Sequence, residues 1–236
     1  MPSAYAVGIF LFPVSKSRKI ERIVFMKTQK TLRFVESGIL IAIATVLSVI
    51  QPFQLPFGGG ITIVSMLPIV LISYRHGVKW GLFSAFVYSL IQMATGFATV
   101  KSFFVPEDYA LQTGLCIVFL DYILAYTVLG FGGIFRNKFK PEVSLCLGSI
   151  AALFMRYIVH ILSGAIFFGS WAEWFFTLEG FYKIGDTIMN NFSGKGLALI
   201  YSVFYNGLYM IPEIILTAVA AFVIGKVPYI AKKKDI

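Results

Sequence analysis

Apolar residues recur along this chain in long blocks separated by short polar stretches, and six blocks fall near residues 34–50, 61–74, 78–97, 114–135, 143–168 and 197–224. A helix needs roughly 20 apolar residues to cross the hydrocarbon core of a bilayer. The pattern therefore predicts an all-α integral membrane protein with six transmembrane helices. The second block is short for a straight span. Just before it, Gln51-Pro52-Phe53-Gln54-Leu55-Pro56-Phe57-Gly58-Gly59-Gly60 carries two prolines and three glycines, which predicts an irregular loop able to fold over a cavity as a lid. Residues 1–25 form an N-terminal extension in which Ala4 to Val14 is apolar, too short to span, and not preceded by basic residues as a signal peptide would be. Met26 opens Met26-Lys27-Thr28-Gln29-Lys30, an ordinary beginning for a membrane protein. The extension is expected either to precede the true start or to form a disordered or surface-lying tail. Residues 26–236 are then one membrane domain.

Composition agrees with lipid as the solvent. Hydrophobic residues make up 58% of the 236 and charged residues only 13%, with a mean hydropathy of +0.83, far from the balance of a soluble domain. The net charge of +9 could suit a nucleic-acid partner, but the basic residues flank apolar blocks and build no soluble basic domain. Lys16, Arg18, Lys19, Arg22, Lys27, Lys30 and Arg33 precede the first block; Arg75 and Lys79 separate the second and third. Arg136, Lys138 and Lys140 separate the fourth and fifth, and Lys226, Lys232, Lys233 and Lys234 follow the sixth. Because basic residues near span ends are retained inside, both termini are predicted to be cytoplasmic. The outer loops hold only Lys101, Lys183 and Lys195. One of them, from Gly169 to Gly196, is rich in aromatics including Trp171, Trp174, Phe175, Phe176 and Phe181, as expected of an amphipathic segment at headgroup level or of a contribution to a lid.

Several chemistries find no footing. Cys116 and Cys146 lie in apolar blocks without metal-ligand spacing, which predicts small buried hydrophobes rather than a disulfide or a metal site. Ser193-Gly194-Lys195-Gly196 lacks the earlier glycine and the following Ser or Thr of a nucleotide-binding loop, so the chain is not expected to drive transport by its own ATP hydrolysis or to act as an enzyme. Six spans with one set of polar residues, rather than the paired repeats of many ion-driven carriers, suggest a capture subunit.

Four ionisable residues away from the block ends demand explanation, since each costs roughly 2.5–3.5 kcal/mol at the bilayer centre on insertion scales: Asp121, Arg156, His160 and Glu213. Asp121 sits about a third of the way into the fourth block from its outer end, a depth that suits either a ligand carboxylate open to the outside or an ion pair with Arg156. Arg156, His160, Gly164 and Phe168 follow one another at i, i+4 and share one helical stripe. Arg156 is deepest and is expected to be structural, whereas His160 is either a packing residue or a ligand contact. Gly164 leaves room for a ligand against the backbone. Tyr201 and Asn206 lie about 140° apart on an ideal helix, so they share a pocket only if it wraps the helix or the first turn unwinds. One acid, one imidazole, one amide and several aromatic faces at similar depth suit a flat, cationic heteroaromatic ligand.

At these residues the sequence resembles the thiamine-specific substrate-binding subunits of energy-coupling-factor transporters. The resemblance runs from about Leu32 to the C-terminus. It is strongest at Leu120-Asp121-Tyr122-Ile123-Leu124-Ala125, at the run from Arg156 to Ser170, and at Tyr201-Ser202-Val203-Phe204-Tyr205-Asn206 with Tyr209-Met210. It implies a six-helix subunit in the cell membrane of a Gram-positive bacterium. Such a subunit would bind thiamine near the outer face as cargo, without a cofactor, and dock on a membrane coupling subunit driven by two cytoplasmic ATPases. The family's pocket acid and neighbouring aromatic fall on Asp121 and Tyr122, and its histidine, glycine and stacking aromatic on His160, Gly164 and Phe168. Its last-helix pair falls on Tyr201 and Asn206, and Tyr109 is the candidate for a loop tyrosine. Asp121 is a Glu in some relatives, Phe168 is a Trp elsewhere, and a further Trp falls on Gly59 or Gly60. The docking stripe reads Gly38, Ala42 and Val46, with Val46 where an Ala is usual. Glu213 and the length of the Gly169 to Gly196 loop have no counterpart in the resemblance. Two other readings remain open: capture of a different vitamin or a thiamine precursor, or an ion-coupled carrier or membrane enzyme relaying protons through Asp121, Arg156 and His160.

Overall fold

The computed structural model describes residues 14–55, 59–104 and 111–234. Helix α1 runs Val14–Val49, about 54 Å at 1.5 Å per residue, because no proline or glycine interrupts residues 14–37. The part of the predicted extension from Val14 onward therefore continues the first helix, while residues 1–13 lie outside the described residues. After α1, the chain forms a small antiparallel hairpin, β1 Phe53–Gln54 and β2 Gly60–Ile61, paired Phe53 to Ile61 and Gln54 to Gly60. Gly59 stands at φ +86, a conformation that L side chains avoid.

Helix α2, Leu67–His76, begins with a proline in its first turn, where the missing N–H is not needed. Its 10 residues rise only about 15 Å, half the hydrocarbon thickness. The second apolar block is thus a half-span, because residues 61–66 are spent on a non-helical strap. Gly77, at φ +89, turns the chain directly into α3, Val78–Thr95, and α4, Phe97–Ser102, follows.

The fourth block is one rod with changing pitch. Leu111–Val118 is α5, Phe119–Leu124 forms a wider π-turn, Ala125–Thr127 is α6, and Val128–Gly133 tightens to a 3₁₀-helix. Its glycine-rich end lies against α2, where the Ser73 hydroxyl donates to Gly130 O at 2.5 Å and accepts from Gly133 N–H at 2.9 Å. Helix α7, Pro141–Phe167, is followed by α8, Ala172–Phe176, and α9, Tyr182–Asn191. Helix α10, Gly194–Gly225, runs back along α7, and the two form the most extensive helix pair of the fold.

Each apolar block contains helix, although the second does so only from Leu67 onward. Among the described residues, four segments rather than the predicted six, Gln29–Val49, Leu111–Gly133, Pro141–Phe167 and Gly194–Gly225, are long and apolar enough to cross a membrane. Large apolar side chains such as Phe83, Phe154, Ile166, Ile215 and Val219 point outward, whereas Ser73, Ser149, Ser202, Thr217 and Glu213 are buried. Apolar faces turned to lipid and polar groups turned inside are the arrangement a bilayer demands. The buried core gathers Ile69, Val70, Ile72, Leu129, Leu145, Leu153 and Met210. Both cysteines are free, but Cys116 is exposed rather than buried, since it lies on the outward face of α5.

The two ends of the bundle differ. At one end, Glu36 on α1 pairs with Arg75 and Lys234 and lies 3.5 Å from His76. Arg75 also donates to Ile230 O at 2.6 Å, and Arg136 Nε to Tyr74 O at 2.9 Å. This is the basic end, the one expected to face the cytoplasm if positive charge is retained there. The opposite end carries the hairpin, α4, α8 and α9. The predicted Gly169 to Gly196 loop is largely helical there, and Phe175 and Phe176 are buried against Tyr201 and Tyr205 at the head of α10.

Candidate functional site

Between the hairpin and the outer halves of α3, α7 and α10 lies a cavity of about 590 Å³. Arg156 at its floor stands 11 residues before the end of α7, or about 16 Å below the outer surface, near mid-membrane depth. The roof comes from Gln51, Gln54, Leu55, Gly59 and Gly60, so the described part of the proline- and glycine-rich segment, residues 51–55 and 59–60, folds over a cavity. A Cβ on Gly59 would come within 2.6 Å of the Tyr209 ring; a glycine there lets the hairpin rest on that aromatic face.

One wall is a hydrogen-bonded chain of three ionisable residues. Arg156 Nε–H donates to His160 Nε2 at 3.1 Å, which makes Nε2 the acceptor and leaves the ring proton on Nδ1. His160 Nδ1–H then donates to Asp121 Oδ1 at 2.9 Å, and the Ser163 hydroxyl donates to Asp121 Oδ2 at 2.7 Å. The Arg156 guanidinium lies 4.1 Å over the Tyr126 ring and donates to the Met66 sulfur at 2.7 Å. The ion pair of Asp121 with Arg156, one of the two readings left open by the sequence, is therefore not direct but bridged through a neutral imidazole. Asp121 sits in the π-turn of the fourth rod, and such turns recur at functional sites because they re-aim side chains off the regular ladder. Its side chain is 18% exposed, and carboxylate lone pairs beyond those two bonds remain for a ligand.

The second wall belongs to α10. Tyr201, Tyr205, Tyr209 and Asn206 all line the cavity, yet α10 is continuous from Gly194. The pocket wraps an arc of about 140° instead of meeting an unwound turn, because Tyr205 and Tyr209 fill the angles between Tyr201 and Asn206. The Asn206 amide is occupied by protein: it donates to Ser202 O at 2.9 Å and accepts from Tyr209 O–H at 2.7 Å. It thus orients Tyr209. Gly164 lines the cavity too, and a Cβ on it would fall inside the contact shell of Ser202 Oγ and 3.1 Å from Asn206 Nδ2. That glycine permits the close crossing of α7 and α10.

Tyr122 lines the cavity beside Gly96, and Phe168 lies at the mouth, its ring 6.2 Å from that of Phe103. Of the residues singled out in the sequence, Asp121, Tyr122, His160, Gly164, Phe168, Tyr201 and Asn206 converge on this one space. Tyr109 lies outside the described residues. Sequence reasoning left out Tyr126, Tyr205, Gln92 and Thr62, which also line the cavity, and it gave Arg156 a structural role or a place in a proton relay, whereas Arg156 lines the floor. The i, i+4 series Tyr201, Tyr205, Tyr209 was a usable signal for the aromatic wall. Gly38, Ala42 and Val46 lie together on the outward face of α1, Val46 being 64% exposed.

Comparison with known proteins matches residues 34–174 to the sequence model described as Thiamine transporter protein (Thia_YuaJ). The chain is 31% identical over 206 residues to the thiamine transporter ThiT of Bacillus subtilis, covering 82% of this chain and 90% of that protein. Its fold is similar to the solved structure of ThiT from Listeria monocytogenes, with a TM-score of 0.62 at 21% identity over 86% of this chain and 98% of the other. By the extent of the first two matches, the chain belongs to the Thia_YuaJ thiamine transporter protein family.

Proposed function

We propose that this chain captures thiamine from outside the cell membrane as the substrate-binding subunit of an energy-coupling-factor transporter, performing no chemistry on the vitamin. The observation that carries this reading is the Asp121 carboxylate set in the wall of a cavity otherwise ringed by Tyr122, Tyr126, Phe168, Tyr201, Tyr205 and Tyr209. A permanently cationic ring gains from a nearby carboxylate and from aromatic faces, the latter by about 2 kcal/mol or more once desolvated. Glutamine and tyrosine groups around the cavity supply donors and acceptors for polar ring edges. The thiamine-transporter relatives support the same ligand.

The outward stripe of Gly38, Ala42 and Val46 is the face by which α1 would meet a membrane coupling subunit, with two cytoplasmic ATPases supplying the energy. The proton-relay alternative is weakened by the floor of the site: the chain from Asp121 ends at Arg156, whose guanidinium does not titrate in the physiological range. Thiamine titrated into purified protein should give saturable heat and a change in tryptophan fluorescence from Trp171 and Trp174 near the mouth. A flat titration at saturating thiamine would overturn the reading, and displacement of thiamine by riboflavin or a pyridoxine-like ring at equal concentration would reassign the vitamin.

A further inference from the structure

We infer that Glu213 is a positioning residue for this cavity: from α10 it holds the strap Thr62–Met66 in its binding conformation and so sets how long a ligand stays. The side chain of Glu213 has 0% exposure in a membrane-embedded helix, where an unmatched carboxylate is expensive. Both of its oxygens serve Thr62: Oε2 accepts from the Thr62 N–H at 2.8 Å and Oε1 from the Thr62 hydroxyl at 2.5 Å. With its proton directed to Glu213, the Thr62 hydroxyl accepts from Ser65 Oγ–H at 2.7 Å, and Ser65 N–H adds a longer bond of 3.3 Å. One carboxylate thereby organises a whole turn 151 residues away in sequence.

That turn carries strain and forms part of the site. Val64 stands at φ +49, a conformation that a β-branched residue adopts only when its surroundings impose it. Thr62, Ser65 and Met66 line the cavity, while Glu213 does not, so the acid acts through the strap. At the far end of the strap, Met66 accepts from Arg156, which leaves the segment pinned between α7 and α10. Without Glu213 the turn is free to relax at Val64, and the wall under the hairpin loses its shape.

The inference rests on reading the cavity as a thiamine site, and the measurement is the dissociation rate of labelled thiamine chased from purified full-length protein. Glu213→Leu removes both acceptors and should speed dissociation on the order of tenfold, as expected for buried donors left unmatched, with the association rate unchanged. Glu213→Gln should stay within about threefold of wild type, because its amide oxygen accepts the Thr62 N–H and its NH₂ donates to the reoriented hydroxyl. Wild-type dissociation from Glu213→Leu, or equal acceleration by Glu213→Gln, overturns the inference. If the leucine variant does not fold, Thr62→Val, which deletes only the hydroxyl, decides: faster dissociation supports it and an unchanged rate overturns it. Protection from amide hydrogen exchange at Thr62–Ser65, lost in Glu213→Leu and retained in Glu213→Gln, tests the anchor without ligand. Should wild type bind no thiamine, the functional reading falls and that exchange pattern alone decides the anchor.

Discussion

Asp121 accepts from His160 at Oδ1 and from Ser163 at Oδ2; an Asn keeps the His160 donor on its amide oxygen and turns its NH₂ to a reoriented Ser163 hydroxyl, so the replacement chiefly removes the charge. Asp121→Asn should weaken thiamine binding by roughly 1.5–3 kcal/mol, about 10- to 100-fold, with little change in melting temperature. Calorimetric titration of the variant checks this, and an unaltered affinity would remove Asp121 from the site. Asn206 shows the opposite case. Its intramembrane amide stood out in the sequence, but the partners it needed turned out to be Ser202 and Tyr209, so any effect on a ligand would run through the tyrosine it holds.

The crossing of α7 and α10 is the element on which the site depends, since it supplies His160, Gly164, Tyr201 and Asn206 from two facing surfaces. Gly164 is the contact point. Gly164→Ala forces its new methyl against Ser202 Oγ and should cost about 1–3 kcal/mol through overpacking, read as a lowered melting temperature in detergent. Adding Ser202→Ala should recover part of the loss; a melting temperature unmoved by Gly164→Ala would show that the helices have slack. The π-turn in the fourth rod and the half-length of α2 are element-scale features of the same kind. Each breaks a regular helix at cavity depth, one to aim Asp121 and the other to make room for the strap.

Across the whole molecule, the outer end holds the ligand cavity and the basic end clamps α1, α2 and the C-terminal tail together through Glu36 and Arg75. Anchored by that clamp, α1 presents Ala42 on a surface that no other part of the described chain covers. Ala42→Trp should leave thiamine affinity within about twofold while reducing cellular uptake tenfold or more, because small residues govern close helix approach in lipid. Titration of the purified variant beside uptake in cells separates these effects, and full uptake by the variant would move the coupling face elsewhere.

The helical membrane character, the clustering of basic residues and the roof-forming segment were legible along the chain, because apolar block length, charge placement and glycine content act locally and bilayer physics reads them directly. Asp121 and His160 stood out for the same reason, as costly groups in an apolar run. Their connection did not. Whether Asp121 meets Arg156 directly or through an imidazole depends on the pitch of the π-turn, and whether Asn206 faces a ligand or Tyr209 depends on how closely Gly164 lets two helices cross. Glu213 was conspicuous but mute for want of a partner, since Thr62 lies 151 residues away and such pairing exists only once the helices are packed.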